Sequence, residues 1–169
     1  LLGILNKTWG EIGFNDKKLI QSNYNEFRSL FAVVFSDFYL FDEFYGINNL
    51  NTVKATKYLE IFELDNKVTV DENGFSSVDL SWGQKKRLAL ISSLLEEKPI
   101  LVLDEWAADQ DPYFRRKFYK VIIPMLIEEG VTIIAITHDD AYYDCANKLF
   151  KMEFGKIIDQ TELIEKELT

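Results

Sequence analysis

The sequence is short of several things, and each shortage excludes something. A single cysteine, Cys145, stands among 169 residues, so no internal disulfide can form and a reducing, cytosolic compartment fits. Positive charge is scarce: 19 lysines and arginines face 28 acidic residues, a formal charge of −9. That balance argues against non-specific nucleic-acid binding, which depends on neutralising phosphates, and against adhesion to an anionic membrane face. Long apolar runs are missing too. The apolar runs, such as Ile100 to Leu103 and Ile133 to Ile136, are strand-length, far below the roughly 20 residues a spanning helix needs. No basic stretch followed by an apolar one marks a signal peptide. Repeats, low-complexity tracts and linkers are absent, and no glycine-rich phosphate loop of the form G-x-x-x-x-G-K-[ST] occurs.

What is present is enough for one domain with a real core: 47% of the residues are hydrophobic. Leu1 to Leu5 starts abruptly, like the tail of a helix. Trp9 to Asp16 reads as a strand entering a turn, and Phe31 to Phe35 as a buried strand. Val53 to Phe62 carries helical spacing, and Asp71 to Gly74 reads as a turn. Gln84 to Glu97 is the clearest helix, with Leu88, Ile91 and Leu95 in one stripe thickened by Leu94, and Pro99 ends it. Ile100 to Leu103 lacks polar alternation, the mark of a parallel strand covered on both faces. Pro112 to Glu129 predicts a second helix, kinked at Pro124, with Gly130 beyond its end. Val131 to Ile136 predicts another buried strand. Leu149 to Ile158 predicts a hairpin turning at Gly155, and Thr161 to Leu168 a short terminal helix. Alternation of strand and helix after residue 84 points to α/β.

Chemistry gathers at a few places. Asp104 and Glu105 close the apolar strand, and in open α/β sheets ligands bind beyond the carboxyl ends of strands. A carboxylate there can hold hydrated Mg²⁺, and its neighbour can polarise an attacking water; equally, the pair can simply cap the next turn. Ser81-Trp82-Gly83-Gln84 opens the clearest helix. Free N–H groups at such an end suit phosphate, although Ser81 by itself reads first as an ordinary N-cap. His138 follows the strand Val131 to Ile136 and either finishes it quietly or donates to a phosphate, with Asp139 and Asp140 placed to orient or charge the ring. Asp111 caps the helix that Pro112 opens, whatever else it does. Among Phe35, Phe38, Tyr39, Phe41, Phe44 and Tyr45, core suits Phe35 and Phe41, while Tyr39, Phe44 and Tyr45 suit core or a partner surface.

Taken in order, these runs resemble the motifs of an ABC-type ATPase, the nucleotide-binding domain that drives ABC transporters. Leu80 to Gln84 resembles the signature motif, usually L-S-G-G-Q, with Trp82 in place of the first glycine. Sixteen residues beyond Gln84 begins Ile100 to Asp104, which resembles Walker B, followed by Glu105 in the place of the catalytic glutamate. Ala108 to Asp111 resembles the D-loop and His138 the switch histidine. The run from Asp104 through Trp106 to Pro112, with Phe35 to Phe41 and His138 to Asp140, is similar to bacterial exporters of cyclic peptides and siderophore precursors, in which a membrane domain precedes the ATPase on one polypeptide.

The resemblance implies an α/β fold of the P-loop NTPase (ABC ATPase) type: a parallel-sheet core with a helical signature subdomain. Residues 1–41 would hold the end of the Walker A helix and the Q-loop strand, 42–98 the helical subdomain, and 99–169 the Walker B, D-loop and switch-histidine core. The cofactors implied are ATP and Mg²⁺. Asp104 would hold Mg²⁺ through water, Glu105 would be the general base, and His138 would clamp the γ-phosphate. Ser81, Trp82, Gly83 and Gln84 would meet ATP held by a second ABC ATPase domain in a head-to-tail dimer, and Asp111 would link the two sites. Residues from about Phe38 to Leu50 would face a transmembrane domain at the cytoplasmic side of the inner membrane. The function implied is ATP hydrolysis powering export of a peptide or siderophore-type molecule.

Two departures qualify that expectation. Ser36 stands where the Q-loop glutamine belongs, and a short hydroxyl reaches the metal only more closely or through water. Walker A is missing, so the chain resembles the family from just downstream of its phosphate loop, and by itself it is expected to be a poor ATPase. Without that loop's strand the sheet is expected to carry a vacant slot and an unpaired edge, and the chain to fill the gap by association or strand exchange or to be only partly ordered. A docking or regulatory module that keeps the signature face without catalysis is the alternative. A soluble ABC ATPase of DNA repair or translation fits poorly, for want of coiled-coil or basic insertions.

Overall fold

The computed structural model of the chain describes residues 9–14, 16–40 and 50–162. Its centre is a parallel sheet of three strands, β3 (Phe31–Val34), β4 (Ile100–Asp104) and β5 (Thr132–Ile136), in that order. Phe31 pairs with Ile100 and Ile100 with Thr132, so the strands end level and present their carboxyl ends together. A tight hairpin, β1 (Gly13–Phe14) with β2 (Lys17–Lys18), and a short helix α1 (Tyr24–Arg28) precede the sheet. A second hairpin, β6 (Phe150–Glu153) with β7 (Lys156–Asp159), follows it and turns at Gly155, whose φ of 76° glycine adopts without strain. The residues of the expected amino-terminal helix tail, 1–5, and most of the expected terminal helix, 163–168, lie outside the described residues.

Helix α2 (Thr52–Ile61) and helix α3 (Trp82–Leu95) supply much of the core. The side chain of Asn51 caps α2 by accepting from the Lys54 N–H at 3.0 Å. The stripe predicted for α3 is there, and burial extends well around it: Leu88, Leu90 and Ile91 are fully enclosed, and Lys86, Arg87 and Ser93 are buried with them. The helix starts two residues earlier than its apolar spacing suggests, because Ser81 and Gln84 form a reciprocal capping box. Strand β4 is buried through Leu101, Val102 and Leu103, as its unbroken apolar run predicts.

The predicted helix 112–129 is realised in three parts: α4 (Pro112–Lys117), a π-helical stretch Phe118–Ile122, and α5 (Ile123–Glu128). Pro124 has no N–H for the carbonyl of Lys120 and its ring crowds that carbonyl, so the expected disturbance takes the form of a widened turn just before it. Gly130 follows with φ 90°. Trp106 packs into this helix with its ring 4.3 Å from that of Phe118.

Two burial expectations are overturned. Strand β5 is not a buried strand: Ile134 is 36% and Ile136 52% exposed. Among the described residues β5 pairs only with β4, so nothing covers its outer edge. The Thr132 N–H bonds to the Pro99 carbonyl, and the Ile136 carbonyl accepts from the Glu105 N–H. By the alternation of a parallel ladder, the backbone groups of Ile133 and Ala135 therefore point outward, unpaired with β4. Phe35 is likewise no core residue; it lies just past β3 and is 41% exposed. Phe38 does pack against the core and Tyr39 is exposed, whereas Phe41, Phe44 and Tyr45 lie outside the described residues.

Candidate functional site

The carboxyl ends of the three strands bring together Ser36, Asp104, Glu105 and His138, four residues drawn from positions 102 apart in sequence. The Ser36 hydroxyl, two residues past β3, donates to Oδ2 of Asp104 at 3.3 Å. Nε2 of His138 lies 3.5 Å from Oε1 of Glu105, with the imidazole 90% exposed. Backbone geometry explains how Glu105 reaches this position. It sits at φ 48° and ψ 32°, in the left-handed region, which turns the chain sharply off β4 into a short 3₁₀ helix, Trp106–Asp109. A side-chain-bearing residue held there costs on the order of 1 kcal/mol or more, and such strain persists only where its surroundings enforce it.

Asp139 does not serve the histidine. Its carboxylate accepts from Arg115 at 3.2 Å and from the Tyr119 hydroxyl at 3.1 Å, and Thr137 bonds its backbone N–H. Burial raises Tyr119 to about 12, so it stays a donor across the ordinary pH range.

The Ser81–Gln84 run stands at the start of α3. Ser81 Oγ accepts from the Gln84 N–H, and the Gln84 side-chain carbonyl accepts from the Ser81 N–H at 3.2 Å, so the ordinary N-cap reading is correct. The Ser81 O–H keeps its proton available for a further acceptor. Gly83 packs closely: a Cβ there would lie 3.1 Å from the carbonyl oxygen of Asp109, which would have to give by a few tenths of an ångström. Trp82, 52% exposed, lies against Phe38 with ring centroids 5.2 Å apart and donates its indole N–H to Asp109 at 3.2 Å. Among the described residues no hydrogen bond or ion pair joins Ser81–Gln84 directly to Asp104, Glu105 or His138.

Two residues that the sequence did not single out, Arg87 and Gln110, link the Ser81–Gln84 run to Asp111. Arg87 is buried. It donates to Gln110 at 2.9 Å, pairs with Asp111 at 2.9 Å, and lies 3.3 Å over the ring of Phe114. Burial pulls its guanidinium below the usual arginine range, against the opposing pull of Asp111. Gln110 in turn donates to the Gly83 carbonyl at 3.1 Å. Asp111 caps α4 by accepting from the Phe114 N–H, and that bond holds its carboxyl below the usual carboxylate range. The signal for this group was the basic run Lys85-Lys86-Arg87 inside the clearest helix, with acids spaced two apart at 109 and 111. No group of three or more histidine, cysteine or acidic residues able to hold a metal ion occurs among the described residues.

Comparison with known proteins converges on one family. The model of the family described as "ABC transporter" matches residues 1–108. The chain belongs to the ABC transporter family. Within that family it is 41% identical over 153 residues to the ATP-binding protein SyrD of Pseudomonas syringae pv. syringae, an alignment covering 88% of this chain and 27% of SyrD. It is 30% identical over 167 residues to the methionine import ATP-binding protein MetN of Lactobacillus johnsonii, covering 92% of this chain and 48% of MetN. The chain thus spans about a quarter and about half of these two relatives. Among solved structures, cbiO1 of Clostridium perfringens, part of the ABC transporter complex cbiONQ, superposes with a TM-score of 0.75 at 26% identity, over 99% of this chain and 72% of cbiO1. The fold is that of an ABC ATPase domain, an α/β P-loop NTPase type with a parallel sheet, as the resemblance implied.

Proposed function

We propose that this chain is the ATP-binding and hydrolysing part of a bacterial ABC exporter for a peptide or siderophore-type molecule. The observation that carries the reading is the convergence of Ser36, Asp104, Glu105 and His138 at the strand ends, where an α/β sheet takes its ligand. Export is supported by the run Asp104 to Pro112, which resembles that of cyclic-peptide and siderophore-precursor exporters; MetN, by its name, serves import.

In this reading Glu105 takes a proton from a water as the water attacks the γ-phosphorus of ATP, and ADP leaves. His138, exposed and 3.5 Å from Glu105, is free to turn its ring N–H to a γ-phosphate oxygen. Asp104 and the Ser36 hydroxyl offer the hard oxygen donors that Mg²⁺ takes, one or two from protein with phosphate and water supplying the rest. Mg²⁺ bound there would neutralise charge on the transferring phosphoryl group. Ser36 serves at short range, in the place of the glutamine.

Ser81 and Trp82 are exposed, and the run Ser81–Gln84 shares no bond with Glu105 or His138, which suits a run that meets ATP held by a second ABC ATPase domain. Trp82 there covers the nucleotide's edge and Ser81 offers its proton to a phosphate oxygen. Asp111 links the two sites from a position fixed by Arg87. No helix among the described residues is long and apolar enough to cross a membrane. In this reading residues from about 38 to 50 face the transporter's membrane domain, on the same polypeptide as in the exporters this run resembles, at the cytoplasmic side. Glu105→Gln in the complete protein is expected to abolish turnover while equilibrium ATP binding survives. Turnover at the wild-type rate would refute the assignment.

A further inference from the structure

Lys86 sits one turn into α3 and is 1% exposed. A buried ammonium must find acceptors, since an unpaired one costs more than its packing returns. Both of its acceptors lie on the single segment that leaves β4. Nζ is 2.6 Å from Oδ2 of Asp109 and 3.3 Å from the carbonyl oxygen of Glu105. The same residue holds that segment again through its backbone: the Lys86 carbonyl accepts from the Trp106 indole N–H at 3.0 Å. Trp82, one turn earlier on the same face of α3, donates to the Asp109 carboxylate as well. Four bonds thus join one face of α3 to residues 105, 106 and 109.

Glu105 is the residue that needs such holding. Its left-handed backbone has three hydrogen-bonded restraints: its N–H to Ile136, its carbonyl to the Ala108 N–H, and its carbonyl to Lys86. The first two come from the neighbouring strand and from its own turn. Lys86 alone reaches it from the helix that Ser81–Gln84 opens.

We infer that Lys86 is a positioning residue for ATP hydrolysis, fixing the turn that aims the Glu105 carboxylate and passing to it the placement of the Ser81–Gln84 helix end. The inference rests on the reading of Glu105 as general base. It adds a route by which nucleotide engaged at Ser81–Gln84 sets the aim of the base in the same subunit, because one rigid turn of α3 carries both ends. Enclosed at 1% exposure, Lys86 acts through the Glu105 turn and is not itself a catalytic group. A methionine would fill its channel without donating, and an arginine would keep charge and donors.

The test is made in the complete protein carrying this domain, with Lys86→Met, Lys86→Arg, Asp109→Asn and Glu105→Gln measured together for kcat, KM, equilibrium ATP binding and thermal midpoint. Lys86→Met is expected to lower kcat roughly 10- to 100-fold, the penalty of a misaimed catalytic group. KM and ATP affinity should stay within about twofold, a split that marks an interaction made in the transition state. Lys86→Arg should recover part of kcat. Asp109→Asn should lower kcat in the same direction but less, because the bond to the Glu105 carbonyl survives. Unchanged kcat in a folded Lys86→Met protein overturns the proposal, and so does a loss spread equally over kcat and KM. If Lys86→Met does not fold, Asp109→Asn, altered at a half-exposed carboxylate, decides in its place: full kcat there overturns it. Full turnover in Glu105→Gln removes the base assignment and this proposal with it. A dead Glu105→Gln beside an unaffected Lys86→Met overturns this proposal alone.

Discussion

At the scale of single residues, charge placement under the site does more than charge count. Asp109 is one acid among 28 acidic residues, yet it receives both the Lys86 ammonium and the Trp82 indole. Chiefly through the bond from Lys86, and against partial burial, its carboxyl is held below the usual carboxylate range. A folded-state pKa below the unfolded value of about 4 means its stabilisation is fully present above that pH and is lost as pH falls through the lowered value. Urea unfolding across a pH series should therefore show a shallower acid decline for Asp109→Asn than for wild type as pH falls below about 4. Equal declines would mean the contact is not kept in solution. None of this was legible in sequence, because residues 82, 86, 105 and 109 meet only after a helix and a strand are laid side by side.

At the scale of elements, ends are decided by particular side chains and interiors by periodicity. The strand β4 and helices α2 and α3 were readable because apolar spacing and caps agree. The two-residue misplacement at the start of α3 has a local cause: Trp82 and Gly83 break the apolar pattern, but the Ser81–Gln84 box supplies the missing bonds regardless. Ser81→Ala should destabilise the domain by about 1 kcal/mol in urea unfolding, and Ser81→Gly by only a few tenths. Equal losses would indicate that Ser81 acts through something other than its cap. The widened turn Phe118–Ile122 is the counterpart at the other long helix, where Pro124 signalled a disturbance and not its form.

At the scale of the whole molecule, the described sheet runs β3–β4–β5 without an internal gap, and an unpaired edge among the described residues lies along β5. β5 carries an open edge, and the hairpin β6–β7 forms a separate two-stranded sheet with Met152, Phe154 and Ile157 exposed. An open strand edge recruits further strands. The 169-residue chain by itself is expected to self-associate, its apparent mass in sedimentation rising with concentration. Ala135→Pro, which removes an N–H that β4 does not use, should weaken the association and leave the three-stranded sheet intact. An apparent mass that does not depend on concentration in the wild-type chain would contradict the expectation.

The sequence by itself determined the α/β class, the order of the motifs and the placement of Asp104, Glu105 and His138 at or just past strand ends, because strand-end carboxylates and helix caps are written in consecutive residues. The tertiary structure decided which residues meet. It turned Asp139 away from His138, exposed Ile134, Ile136 and Phe35, and buried Lys86 and Arg87 between the helix opened by Ser81 and the turn at Glu105. Apolar periodicity reports that a residue is suited to burial. Whether a neighbour is there to bury it, and which buried charge finds which acceptor, depends on contacts between segments far apart in the chain.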